Sequence, residues 1–129
     1  MKLTNCPFCS PNIAEENVLL ENPFCLFLQR EEPVLIGSGL IIPRAHRETA
    51  FDLTKEEWLA IQALLLQVKT LIDDSHHPAG YNLGWNCGAT AGQEVFHAHL
   101  HVIPRYSDEP LAGKGIRYWL KQEGNLRKR

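Results

Sequence analysis

The sequence predicts one compact domain that combines several β-strands with a single long helix, that is, an α/β or α+β fold. Its 129 residues can enclose one hydrophobic core and are too few for two ordinary domains. Apolar residues recur at helical spacing after Thr54, while shorter apolar or alternating runs lie between Pro and Gly positions. No internal repeat or linker interrupts the chain. We therefore assign residues 1–129 to a single domain, with an N-terminal segment at 1–15 and a basic tail at 114–129.

The first half of the chain predicts two or three antiparallel strands followed by the helix. Strands are expected at 18–20, 25–29 and 39–42, separated by turns that contain Asn and Pro. Thr54-Lys55-Glu56-Glu57 is a capping box, so the helix should begin there and end near residues 73–77, before Pro78. Its predicted buried face consists of Trp58, Ile61, Leu65, Val68 and Ile72.

The second half predicts a strand over 81–86, a loop over 88–92 and a strand over 95–103 that ends at Pro104. In this last segment apolar residues alternate strictly with His97, His99 and His101. The apolar face must pack on a core, most simply against the long helix, so the three imidazoles should share the opposite face. Side chains on one face of a strand lie about 6.5–7 Å apart, which allows the three rings to line one polar groove. The tail from residue 114 predicts a short helix or a loose arm.

Charge and cysteine content restrict the classes of function. Thirteen Lys and Arg against fifteen Asp and Glu give a net charge of −2, which does not favour nucleic-acid binding. No apolar run approaches the ~20 residues of a membrane span, and no secretion signal is apparent, so we expect a soluble cytoplasmic protein with reduced thiols. Cys25 and Cys87 are expected to be small buried hydrophobes, and His76 and His77 to face solvent without a role.

Three interpretations of the histidine strand remain open from the residues alone. The histidines could be the solvent face of an edge strand, although Lys, Thr and Glu are more usual there. They could hold one zinc with an open position for water. A neutral imidazole could instead attack phosphorus, and His99, with a histidine on either side, is then the best placed nucleophile.

Two segments resemble a known family. Gly92-Gln93-Glu94-Val95-Phe96-His97-Ala98-His99-Leu100-His101-Val102-Ile103 resembles the His-φ-His-φ-His-φ-φ signature of the histidine triad (HIT) superfamily, where φ is apolar. Leu40-Ile41-Ile42-Pro43-Arg44-Ala45-His46 resembles the strand of that family and the histidine that follows it. Asn86, ahead of the predicted loop, also resembles a position of this family. The resemblance extends over roughly the whole chain.

The resemblance implies an α+β, HIT-like fold with an antiparallel sheet of about five strands, one long helix and a shorter one, usually paired as a homodimer. It implies action at the α-phosphate of a nucleotide such as a dinucleoside polyphosphate (diadenosine tetraphosphate, for example) or a nucleoside phosphoramidate. His99 would become transiently nucleotidylated, His101 would contact phosphate oxygens and His97 would support them. Gln93 and Asn86 would contact phosphate or ribose, although without the resemblance they are ordinary loop residues.

Two positions depart from the family pattern. Glu94 stands where many relatives have Ser or Thr, and its carboxylate would repel an anionic substrate unless it turns away. Arg30 stands about where many relatives have an acidic residue for the ribose hydroxyls. The base and sugar preference are therefore not predicted.

The Cys6-Pro-Phe-Cys9 segment is a candidate metal or redox motif. A C-x-x-C pair can provide two zinc ligands, form a redox couple or stay unliganded, and the pair alone does not decide between these. The resemblance to zinc-containing bacterial HIT hydrolases implies that His46 and His97 complete a closed, structural Zn²⁺ site. Three functions are thus considered: a nucleotide hydrolase, an open three-histidine zinc hydrolase, and a nucleotide-binding regulatory protein.

Overall fold

The structure, a computed structural model, describes residues 5–128; residues 1–4 and 129 of the predicted terminal segments lie outside it. Within that range one antiparallel sheet has the strand order β1-β2-β3-β5-β4. The predicted α+β class and antiparallel sheet are confirmed. The strands are β1 (Val18–Glu21), β2 (Cys25–Leu28), β3 (Gly39–Pro43), β4 (Gly80–Trp85) and β5 (Leu100–Arg105), and the α-helices are α1 (Lys55–His76) and α2 (Ile116–Leu120).

Helix α1 begins at its predicted capping box. The Thr54 hydroxyl accepts from the Glu57 amide at 3.1 Å, and the Glu57 carboxylate accepts from the Thr54 amide at 2.7 Å. The helix ends at His76, and the cap residue His77 adopts the left-handed conformation. Trp58 was predicted to be buried but is 43% exposed, because it lies at the edge of the sheet with its ring 5.6 Å from the ring of Trp85.

The sheet separates two hydrophobic cores, because residues alternate between its faces. One face packs against α1 and the other against the segment that contains the C-x-x-C pair, so strand β2 is buried on both sides. The core on the α1 side includes Cys25, Phe27, Ile41, Leu64, Val68, Ile72, Leu100 and Val102. The core on the other side includes Cys6, Phe8, Cys9, Leu26, Leu28 and Ile42.

The histidine strand is shorter at its start, and longer at its end, than predicted. Residues 95–97 form a bend, and β5 begins only at Leu100. The bend is held by long-range bonds, including one from the Ala98 amide to the Arg47 carbonyl at 2.7 Å. At the other end the strand continues through Pro104. Beyond Val102, β5 pairs only with β4, so the N–H group that Pro104 lacks is not needed for pairing with a second strand.

The C-terminal tail, predicted to be a short helix or a loose arm, forms α2 and a 3-10 turn at Glu123–Asn125. Among residues 5–128, no helix combines the length and the apolar character that a bilayer crossing demands.

Candidate active site and metal centre

His99, directly before β5, and His101, on β5, lie side by side on the face of the sheet opposite α1. Leu100 and Val102 point into the α1 core, so the residues on either side of Leu100 must face the other way. The two imidazole centroids are 5.0 Å apart, and the Phe8 ring lies 5.1 Å from His99. The predicted grouping of these two rings on one face is therefore present, with an aromatic ring beside them.

A hydrogen bond to the backbone sets the tautomer of His99. Its Nδ1 lies 2.8 Å from the carbonyl oxygen of His97, which can only accept, so Nδ1 carries the hydrogen. In the neutral ring the Nε2 lone pair is then free. This is the tautomer that a nucleophilic imidazole requires.

His101 contributes a polar atom that is ready for a ligand. Its Nε2 is buried and has no hydrogen-bond partner within residues 5–128. Burial, and secondarily the neighbouring His99, lowers the pKa of His101 below its ordinary value of 6.5, so the ring is neutral at pH 7. His101 also lines a cavity of about 160 Å³ together with Leu28, Arg30, Ser38 and Leu40.

The four predicted metal ligands come together. The ligand atoms of Cys6, Cys9, His46 and His97 all lie within 4.8 Å of one another. Nδ1 of His97 is 3.3 Å from Cys6 Sγ, 3.5 Å from Cys9 Sγ and 3.2 Å from His46 Nδ1, and Nδ1 of His46 is 3.4 Å from Cys9 Sγ. Tetrahedral zinc, with bonds of about 2.0–2.3 Å, would place such donors about 3.3–3.7 Å apart. The donor set therefore fits a metal ion.

The surroundings of the cluster orient its donors toward a cation. His97 Nε2 donates to the Pro43 carbonyl oxygen at 2.8 Å, which leaves the Nδ1 lone pair for the cluster. Burial lowers the pKa of His97 and raises the pKa of the Cys6 thiol. Both groups are thus neutral without a cation, and a bound cation would favour the Cys6 thiolate.

The three triad rings do not share one metal position. His97 turns toward the cysteines, and neither His99 nor His101 belongs to the metal-capable cluster found among the described residues. The Nδ1 of His99 is occupied by a carbonyl oxygen. This geometry argues against the open three-histidine zinc site.

Gln93 and Asn86 lie in and beside the loop between β4 and β5. The Gln93 side chain is buried: its Oε1 accepts from the Gly88 amide at 2.8 Å, and its Nε2 donates to the Glu48 carbonyl at 2.7 Å. Gln93 thereby fixes the loop, while the exposed Asn86 lies beside Gly92. Glu94 and Arg30 are both exposed.

Sequence reasoning missed Phe8 and the Pro43 carbonyl. Phe8 is one of the two residues between the cysteines, and it packs edge-on against both His97 and His99. An aromatic residue inside a C-x-x-C pair was the available signal. The Pro43 carbonyl has no signal in the sequence, because its contact with His97 spans 54 residues.

Fold and site together define a small α+β domain whose sheet presents two adjacent histidines beside a Cys₂His₂ cluster able to hold a metal. A family model described as HIT domain matches residues 12–108, about three quarters of the chain. The chain belongs to the HIT domain family.

Proteins of this family resemble the chain in both sequence and structure. An uncharacterized HIT-like protein of Mycoplasma pneumoniae is 34% identical, over 97% of this chain and 85% of its own. The crystal structure of a HIT family protein from Bacillus anthracis matches with a TM-score of 0.73 and 35% identity, over 81% of this chain and 76% of its own. The asymmetrical bis(5′-nucleosyl)-tetraphosphatase of Schizosaccharomyces pombe is 32% identical, over 74% of this chain and 53% of its own.

Proposed function

We propose that this protein is a nucleotide hydrolase or transferase that acts at the α-phosphate of a dinucleoside polyphosphate or a nucleoside phosphoramidate. The observation that carries the proposal is the bond from His99 Nδ1 to the His97 carbonyl, because in the neutral ring it leaves the lone pair on Nε2, where it can act as a nucleophile. The similarity to a bis(5′-nucleosyl)-tetraphosphatase supports the substrate class.

In the proposed reaction, His99 Nε2 attacks the α-phosphorus and forms a P–N bond. The bond from phosphorus to the leaving group breaks, and the leaving group departs with the bonding electron pair. Water then attacks the same phosphorus, which breaks the P–N bond and releases a nucleoside monophosphate. The Nδ1–H bond to the His97 carbonyl stabilises the positive charge that the ring gains during the attack.

His101 is proposed to bind the phosphoryl oxygens. Its lowered pKa keeps it neutral, and its buried Nε2 can carry a hydrogen to donate to an oxygen that gains charge. Phe8 excludes water from one side of His99. Asn86 and Gln93 remain proposed substrate contacts. For Gln93 the bonds to Gly88 and Glu48 support an additional role in shaping the loop.

We propose that the Cys₂His₂ cluster holds a structural Zn²⁺. Two sulfurs and two imidazole nitrogens are a zinc-preferring donor set, and four protein ligands leave no position for substrate. The metal would supply stability there: it would tie residues 6–9, and with them Phe8, to the bend that precedes His99.

We also propose that the chain forms a homodimer through β4 and α1, and that it acts in the cytoplasm. Strand β4 is an edge of the sheet, and Leu59, Leu66 and Leu83 beside it are exposed large apolar side chains. Reduced Cys6 and Cys9 thiols, required for the metal, favour a reducing compartment.

The decisive experiment looks for the covalent intermediate. The protein is mixed with diadenosine tetraphosphate labelled at the α-phosphates, quenched within one turnover and digested, and the labelled peptide is identified. Label should appear on His99, be absent in His99→Ala and persist in His76→Ala, the matched control from outside the site. Tight nucleotide binding without any label would favour the regulatory function instead, and label that survives His99→Ala would exclude His99 as the nucleophile.

A further inference from the structure

The C-terminal segment lies on the same face of the sheet as His101. Gly84 of β4 pairs directly with His101 of β5, and residues opposite each other in a ladder share a face. A methyl group built on Gly84 would point onto that face and lie 3.7 Å from Cδ1 of Ile116. Helix α2 therefore begins one strand away from His101, across a position that has no side chain.

Arg105 holds this segment in place. Its guanidinium donates to the carbonyl oxygens of Lys114 at 2.7 Å and Leu111 at 2.8 Å. It also donates to Asn82 at 2.5 Å and forms an ion pair with Glu109 at 2.6 Å. One side chain on β5 thus joins β4, the loop after β5 and the start of the tail. The position of α2 is therefore coupled to the strand that carries His101.

The segment presents side chains suited to a nucleoside polyphosphate. Ile116, Trp119 and Leu120 are exposed and follow helical spacing along α2. Six of the thirteen Lys and Arg lie in residues 114–129, which contain a single acid, in a chain whose net charge is −2. The ammonium group of Lys114 lies 4.9 Å from the centre of the Tyr118 ring, which orders one of these cations beside an aromatic pair.

We infer that the segment from Lys114 to Lys121 is a second subsite, which binds the leaving nucleoside polyphosphate of a dinucleoside polyphosphate. The leaving base stacks on Trp119, and Lys114 and Arg117 bind its phosphates. This inference rests on the proposed function, since it names the half of the substrate that His99 does not retain. A leaving group as small as ammonia makes no use of the subsite.

The test compares two leaving groups on one nucleophile. Kinetics are measured with diadenosine tetraphosphate and with adenosine 5′-phosphoramidate for the native protein, Trp119→Ala and the control Phe51→Ala, which removes an exposed ring outside the segment. For Trp119→Ala, kcat/KM should fall about tenfold or more with the dinucleotide, mainly through KM, and change less than about twofold with the phosphoramidate. Equal losses on both substrates, or none on either, would overturn the subsite.

A binding measurement separates this inference from the proposed function. ATP, the product that leaves with the second nucleoside, is titrated by calorimetry into His99→Ala and into His99→Ala carrying Trp119→Ala. Weaker binding in the second variant, with an unchanged sedimentation coefficient, supports the subsite even if the native protein shows no turnover. Equal ATP affinity would reject the subsite even if His99 is nucleotidylated. Loss of ATP binding together with a change in oligomeric state would assign Trp119 to a protein interface and also reject it.

Discussion

Single hydrogen bonds to backbone carbonyls determine which ring nitrogen is available in two of the three triad histidines. The three residues have the same side chain, yet His97 Nε2 donates to Pro43 and His99 Nδ1 donates to His97. The first bond leaves the Nδ1 lone pair of His97 facing the Cys₂His₂ cluster, and the second leaves the lone pair of His99 on Nε2, the proposed nucleophile. His101 has a buried nitrogen without a partner in the described chain. Different roles thus arise from position and not from residue type.

His101 should make stability depend on pH. Burial lowers its pKa in the folded state, so the unfolded chain binds more protons as the pH falls through about 6.5. The contribution is complete above that pH and is lost toward lower pH. The free energy of unfolding should therefore decrease between about pH 7.5 and about pH 5.5, and less so in His101→Gln.

Urea titrations at the two pH values measure this difference. His76→Gln, which removes an imidazole outside the site, should retain the pH dependence of the native chain. Acid release of a metal would affect all three proteins alike, so only the difference between variants bears on His101. Identical pH dependence in His101→Gln and the native chain would contradict the prediction.

At the scale of elements, sequence motifs predicted those helix and strand boundaries that depend on neighbouring residues. The start of α1 follows from Thr54 and Glu57, three residues apart, and the structure contains both capping bonds. The bend before β5 was not predicted, because it depends on contacts of residues 97–98 with Arg47 and Pro43, about 50 residues away. The proposed metal ligands His46 and His97 likewise could be grouped only through a family resemblance.

Glu57 should be more important to the fold than its position in a first helical turn suggests. Its buried carboxylate caps α1 and pairs with the Arg47 guanidinium, whose Nε lies 3.0 Å from Oε1, while the Arg47 carbonyl holds the bend at Ala98. Glu57→Ala removes both interactions and should lower the free energy of unfolding by about 2 kcal/mol. The exposed neighbour Glu56→Ala is the control and should change it by about 0.5 kcal/mol or less. Chemical denaturation distinguishes the two, and equal effects would refute this role.

At the scale of the whole molecule, the second core connects the Cys₂His₂ cluster to the face of the sheet that presents His99 and His101. Cys6, Phe8 and Cys9 pack with Leu26 and Ile42. Residues 6–9 are therefore held by apolar contacts as well as by the contacts of the two thiols with histidine rings. The segment therefore has apolar contacts of its own, because Phe8 is buried. A metal would add to an existing core and would not be its only support.

Metal removal should destabilise the protein without unfolding it completely. Native protein and Cys87→Ala should each contain about one zinc per chain, whereas Cys9→Ser should contain none. Chelation should lower the free energy of unfolding by about 3 kcal/mol or more in the first two proteins and have no effect in the third. Elemental analysis and denaturation with and without a chelator provide the measurements. A folded, metal-free native protein purified under reducing conditions would refute the zinc proposal.

The free edge of the sheet gives the last prediction. Leu66 lies on the side of α1 that carries Lys69 and Asp73, and Tyr81 of β4 bonds to both of these residues, so Leu66 and the β4 edge face the same direction. An exposed apolar surface next to an edge strand favours pairing with a second copy through a two-fold axis. Sedimentation should give about twice the chain mass of 14.6 kDa for the native protein, and about one chain mass for Leu66→Glu. Leu19→Glu, which places the same charge on an exposed apolar residue of β1, the opposite edge strand of the sheet, should remain dimeric. Dissociation of both variants, or of neither, would place the interface elsewhere.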